Sequence, residues 1–225
     1  MPIRRIAALL LLCAPAACAP IVTHGPRPEP GLQVMATGGI ALPLCDGTCE
    51  MSMMNQIGIG ARYGRPAEER KPGYSVGGTL SMGVISSEVD LYVQAPTTAI
   101  PEWDAGAGIL LSPAHVMPYV QLGQMRASGS GIYTTHGIVW MPERGDIIWM
   151  DAESSTEVTP RYLSSTVAYR FAHRGGAVHL YVSGALGFMR MRDASPRRFE
   201  PPPPATAPVR FIMGGITLER RIRGF

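Results

Sequence analysis

The sequence predicts an all-β fold: an antiparallel up-and-down transmembrane β-barrel of about ten strands (8–10). Three observations predict it. First, stretches of strict alternation recur along the chain. Val178, Leu180, Val182, Gly184, Leu186 and Phe188 form one apolar row, and His179, Tyr181, Ser183, Ala185 and Gly187 interleave with it. A period of two is the mark of a strand with two different faces. Second, the polar rows are rich in Gly, Ser, Thr and Gln but poor in charge. Charged residues make up 16 % of the chain, against about 25 % in a typical soluble domain. Third, each stretch is about 9–12 residues long, the length that spans a bilayer when tilted.

Composition narrows the partners. The 225 residues suit one domain, and the formal charge is only +3. Lys71 is the single lysine, and neither a basic run nor a basic amphipathic helix is present. Nucleic acid is therefore not an expected partner. Beyond the N-terminus no apolar run reaches the length of about 18 residues that a membrane-spanning helix needs.

Residues 1–17 read as a signal peptide. Met1 to Arg5 is basic, Ile6 to Leu12 is apolar, and the small residues Ala14, Ala16 and Ala17 follow. Ala14, Pro15 and Ala16 fit an ordinary cleavage site. Ala16, Ala17 and Cys18 resemble the end of a bacterial lipobox, with Cys18 as a possible lipidation site and Pro15 where that motif has Leu. Residues 18–30 form a Pro-rich tether, expected to be extended and unstructured. The barrel domain is then 31–225. Cys45 and Cys49 flank a Gly turn, and in an oxidising compartment they are expected to form a disulfide. No second Cys or His cluster accompanies them, so no metal is expected.

The strands follow in order. The first covers about 31–42 and the second about 55–64, with Ile57, Ile59, Ala61 and Tyr63 opposite Gln56, Gly58, Gly60 and Arg62. The third carries Tyr74, Val76, Gly78, Leu80, Met82 and Val84, and Ser86-Ser87 reads as a turn. The fourth has Val89, Leu91 and Val93 opposite Asp90, Tyr92 and Gln94. The fifth starts at Trp103, with Asp104, Gly106 and Gly108 on its polar row. The sixth runs from Val116, where Pro118 signals a strand start or a bulge. The seventh is about 131–141, with Ile132, Thr134, His136, Ile138 and Trp140 on the apolar row. A loop is expected over 142–160. The eighth strand, around Leu163 to Phe171, turns at His173-Arg174-Gly175-Gly176 into the ninth. A second loop, 191–208, holds four consecutive prolines and precedes the final segment, Val209 to Phe225.

Ten strands return both chain ends to one side. The loops after strands one, seven and nine then share the other side, giving short turns at one end and long loops at the other. Charge placement agrees. The central apolar rows of strands one to nine hold no Arg, Lys, Asp or Glu, while Arg62, Asp90, Asp104 and Arg170 sit on the polar rows. Together with Tyr92 and His179 they form the expected lumen cluster, in which two positive and two negative groups can pair. Tyr63, Tyr74, Trp103, Trp140, Tyr169 and Phe171 lie near strand ends, where interfacial aromatic girdles sit.

On these features, and on the terminal Phe225, residues 31–225 resemble the small bacterial outer-membrane β-barrel proteins. The resemblance is architectural. It implies outer-membrane lipids and the barrel-assembly machinery as partners, and a monomer. The C-terminal register departs from that family's pattern. Glu219, Arg221 and Arg223 stand where alternate apolar residues are expected, so either the signal is degenerate or the last strand ends near Leu218.

No catalytic motif is present: no Gly-x-Ser-x-Gly, no His-Glu-x-x-His and no phosphate loop. No catalytic residue and no cofactor is expected. His136 is the most distinctive single residue, because it sits on the lipid-facing row with Thr134, and Ser165 of the next strand can lie alongside. A His and a Ser at a membrane surface are the parts of a lipid A-modifying hydrolase. The glycines of the polar rows leave room for a narrow water-filled space. The reading is thus a non-enzymatic outer-membrane barrel: an envelope structural protein, a narrow channel or an adhesin. Two alternatives stand beside it. One is a soluble periplasmic lipoprotein whose apolar rows face inward around an apolar ligand. The other is the lipid A hydrolase.

Overall fold

The computed structural model describes residues 22, 24–44, 54–66, 72–81, 84–94, 103–111, 116–140, 147–151, 154–193 and 205–222. Among these there is no helix. Eleven antiparallel strands are present: β1 (Gly31–Pro43), β2 (Met54–Arg65), β3 (Gly73–Ser81), β4 (Val84–Gln94), β5 (Trp103–Leu111), β6 (Val116–Met125), β7 (Gly131–Trp140), β8 (Ile147–Asp151), β9 (Ser154–His173), β10 (Gly176–Asp193) and β11 (Ala205–Arg221).

Ten of them close into a ring. Each of the first seven pairs with the next, β7 continues to β9, β9 to β10 and β10 to β11, and β11 returns to β1. The seam runs from Gln33 opposite Arg221 to Pro43 opposite Phe211. Closure gives each of these ten strands a neighbour on both sides, which is the condition for a sheet in hydrocarbon. The eleventh strand, β8, continues the line of β7. It pairs with residues 154–158 of β9, and β7 pairs with 161–170 along the same edge.

The pleat fixes which side chains face in. In β6 the burial pattern alternates residue by residue, with Met117, Tyr119, Gln121, Gly123 and Met125 inside. In β7 the inner set is Gly131, Tyr133, Thr135, Gly137 and Val139. Outside lie Ile57, Ile59, Val120, Ile138, Leu163, Val182 and Leu186, each more than half exposed. A soluble protein would hide these side chains, since each gains about 1.5–3 kcal/mol on leaving water. Such an outer surface suits hydrocarbon rather than water. Tyr63, Tyr74 and Phe171 are exposed near the end where β1 starts, and Trp140 and Phe188 near the other. Tyr169 and Phe171 pack ring to ring at 4.4 Å.

The described C-terminal end, Ile222, lies at the end where β1 starts, here the N-terminal mouth. The turns at 126–130 and 173–176 are at this mouth too. At the second of these Gly175 takes φ +81°, a left-handed conformation that suits glycine in a two-residue hairpin. The longest strands, β9, β10 and β11, rise beyond β7 at the opposite end.

Several sequence expectations are corrected. Ser86-Ser87 is not a turn; both residues pair within β4, against Thr79 and Gly78 of β3. Pro118 marks neither a strand start nor a bulge. β6 begins two residues earlier, and its ladder to β7 skips Met117 and Pro118 but resumes in the same register. The missing donor of proline is thus absorbed without an extra residue. Parts of the expected loops 142–160 and 191–208 are strand: 147–151 and 154–160 belong to β8 and β9, and 191–193 and 205–208 to β10 and β11. The last strand does not end at Leu218, because Glu219, Arg220 and Arg221 pair with β1 and β10.

Candidate functional site in the barrel interior

The interior has two storeys. Near the N-terminal mouth it is polar, with Gln33, Arg62, Ser75, Asp104, Thr135, Arg170, His179, Thr217 and Glu219 all buried. Farther along, Ala41, Leu110, Met117, Val139, Tyr162, Phe211 and Met213 form one apolar cluster. Tyr162 and Phe211 meet edge to face at 6.2 Å within it.

The segment before β1 lies inside the polar storey. The described part of the expected tether, residues 22 and 24–30, is packed against the wall, and Val22, His24, Gly25, Pro26 and Pro28 are buried. Gly31 has φ +89°, which lets the chain reverse from the lumen into the wall. Two wall glutamines hold this segment by its carbonyls. Gln33 Nε2 donates to the Glu29 oxygen at 2.9 Å, and Gln121 Nε2 donates to the His24 oxygen at 2.7 Å. Two ion pairs add to these. Arg27 meets Asp104 at 3.0 Å, and Glu29 meets Arg170 at 3.1 Å.

Wall glycines receive the segment. A Cβ at Gly64 would collide with the Glu29 carbonyl oxygen and approach the Pro28 Cβ at 3.1 Å. A Cβ at Gly123 would lie 2.9 Å from the Pro26 Cγ. These two positions are small because main chain or proline occupies the space.

Arg170 is the hub of the charges. Its Nη1 donates to the Gly129 oxygen at 2.6 Å, and its Nη2 reaches Glu29 and Glu219 at 3.1 Å each. Glu219 also meets His179 Nε2 at 3.0 Å, and His179 Nδ1 meets the Tyr133 hydroxyl at 2.9 Å. An ionised carboxylate only accepts, so His179 carries its proton on Nε2 and the Tyr133 hydroxyl donates to Nδ1. The row from Tyr133 through His179, Glu219 and Arg170 to Glu29 is continuous.

The structure brings four of the six expected cluster residues into this interior: Arg62, Asp104, Arg170 and His179. Arg62 donates to the Ser75 hydroxyl at 2.6 Å. Asp90 pairs in register with Ser75 and Gly108, and Tyr92 with Gly73 and Gly106, but their side chains lie outside the described residues. Cys18, Cys45 and Cys49 also lie outside them. Among the described residues, the partners of Asp104 and Arg170 include Arg27, Glu29 and Glu219, which the sequence reading missed. The first two sit in a Pro-rich stretch with no periodicity, and the third was assigned to the wrong face.

On the outer wall, His136 Nδ1 and Ser165 Oγ are 3.0 Å apart, and the two residues are register partners. They lie at mid-height. His136 is four residues from Trp140, and Ser165 four from Tyr169, about 13 Å along each strand.

No family model and no curated protein sequence matches the chain. Solved structures do resemble it. An outer-membrane channel from Pseudomonas putida F1 is 9 % identical, with 89 % of this chain and 99 % of that one covered and a TM-score of 0.47. The outer-membrane protein OprG from Pseudomonas aeruginosa is 12 % identical, with 88 % and 100 % covered and a TM-score of 0.42. A NanC porin is 10 % identical, with 84 % and 100 % covered and a TM-score of 0.29.

Proposed function

We propose that this chain is a non-enzymatic outer-membrane β-barrel protein of a bacterial envelope, working as a narrow channel. The observation that carries the reading is the inverted distribution of side chains. Apolar residues cover the outside of a closed ring, and polar and charged residues are buried within it. Bacterial single-chain barrels of this pattern, with an even strand number, belong to outer membranes. A channel rather than a purely structural barrel is favoured by one wall of the lumen. Among the described residues, Gly60, Gly77, Gly106 and Gly108 are inward positions on that side that carry no side chain and keep partial exposure.

The two alternatives fare less well. A soluble lipoprotein needs the apolar rows inside, whereas Val182, Leu186 and Ile59 point out. A lipid hydrolase needs ester and water at its dyad. His136 and Ser165 sit between the aromatic girdles, at the depth of hydrocarbon rather than headgroups.

Membrane extraction tests the reading. The protein should need detergent for release, migrate differently in SDS before and after boiling, and give small conductance steps in planar bilayers. Release by carbonate without a mobility shift would overturn it. Acylation of Cys18 is a further part of the proposal, and the intact mass of the mature protein tests it.

A further inference from the structure

We infer that residues 24–30 are a displaceable plug, closing the N-terminal mouth of a lane along the glycine-rich wall. The inference rests on the channel reading and deepens it. Three observations carry it.

The first is how the segment is held. Pro26, Pro28 and Pro30 have no N–H, so the segment cannot join the sheet as a strand. Its described holds are side-chain contacts: Gln33 and Gln121 on two carbonyls, Asp104 on Arg27, Arg170 on Glu29, and Tyr119 against the His24 ring. It can leave without breaking a rung of the barrel ladder. The second is what its departure exposes. Asp104 and Arg170 carry opposite charges, and Gln33 and Gln121 regain free amides. All four are groups that water in an open mouth would solvate. Arg27 and Glu29 already show 29 % and 33 % of their side chains to solvent.

The third is what lies beyond. On the β1, β2, β3 and β5 side, Thr37, Gly39, Gly60, Thr79, Gly106 and Gly108 keep partial exposure. On the opposite side Tyr119, Tyr133, Tyr162, Tyr181, Phe211 and Met213 are buried against one another or their neighbours. Among the described residues the partly exposed inner positions thus form a lane along one wall, bounded at Gly39 by the Tyr181 hydroxyl. Pro28, seated on Gly64, and Arg27, paired with Asp104, stand across its mouth on that same side.

A reversible lock tests the plug. In the full chain with its other cysteines changed to serine, Arg27→Cys and Asp104→Cys are joined by a cleavable bis-maleimide. A boiling-dependent mobility shift certifies the barrel. Planar-bilayer conductance is then recorded locked and after cleavage, beside wild type and the double variant Arg27→Gln, Glu29→Gln. The expected result is no openings when locked, recovery on cleavage, and a several-fold higher open probability in the double variant. Equal conductance in the locked and cleaved forms would sink the plug and leave the channel standing. Silence in every form, the double variant included, would sink the channel reading and the plug with it.

Discussion

Glu219 Oε2 and His179 Nε2 are 3.0 Å apart inside the barrel, joining the last strand to its neighbour. The same carboxylate holds Arg170 from β9 at 3.1 Å. Removing it leaves the buried guanidinium with the part-exposed Glu29 as its remaining described carboxylate, and breaking a buried pair by deleting one partner costs up to about 3–5 kcal/mol. Glu219→Leu should lower stability by that amount, read as the urea midpoint for unfolding from lipid vesicles. Glu219→Gln keeps a hydrogen-bond acceptor and should cost less, about 1–3 kcal/mol. A Leu variant as stable as wild type would show that Arg170 is hydrated rather than paired.

Gly64 carries the Pro28 ring and the Glu29 carbonyl on its inner face. A side chain there should expel the segment while leaving the β2 ladder intact. Gly64→Val is expected to raise the rate at which a cysteine placed at position 26 reacts with maleimide, at least tenfold. The heat shift in SDS should persist. Unchanged labelling would mean that position 26 is equally protected without the Gly64 seat.

Val182 is 58 % exposed at mid-height on β10. If hydrocarbon lies outside it, Val182→Arg should destabilise the barrel by about 2–4 kcal/mol. The same substitution facing water would be nearly silent. Refolding equilibria in vesicles separate the two outcomes.

His136 and Ser165 bond to each other on the outer wall, away from both girdles. Replacing both partners of a hydrogen bond by apolar groups is close to neutral. The pair His136→Leu, Ser165→Ala should therefore keep or slightly raise stability, while Ser165→Ala alone should cost about 1 kcal/mol. Lipid A from cells making the double variant should match wild type by mass spectrometry. An altered acylation pattern would restore the hydrolase.

Much of the wall was legible because alternation is local. Trp103–Leu111 and Gly131–Trp140 match their expected ranges almost residue for residue. Ser86 and Ser87 were misread because small polar residues suit both turns and strands, and the choice is made by distant partners. Glu219 was misread because its row was judged from Phe225, which lies outside the described residues, and not from the alternation of Ile216 and Leu218 just before it. The plug was illegible for a different reason. A Pro-rich stretch has no period, so nothing in it reports burial. Its seat is made of Gly64, Gly123, Asp104 and Arg170, which meet only after the ring has closed.

The seam between β1 and β11 joins the first described strand with the last, so the seam side of Gln33, whose other side faces Arg62 of β2, stays unpaired until Arg221 arrives. Such distant pairings form slowly. Until then β1 is an open edge, with residues 24–30 attached directly to it. Residues 24–30 thus enter assembly as cargo of their own container. Either the wall wraps around them as the final rungs zip, or they must fold inward through a mouth that is already complete.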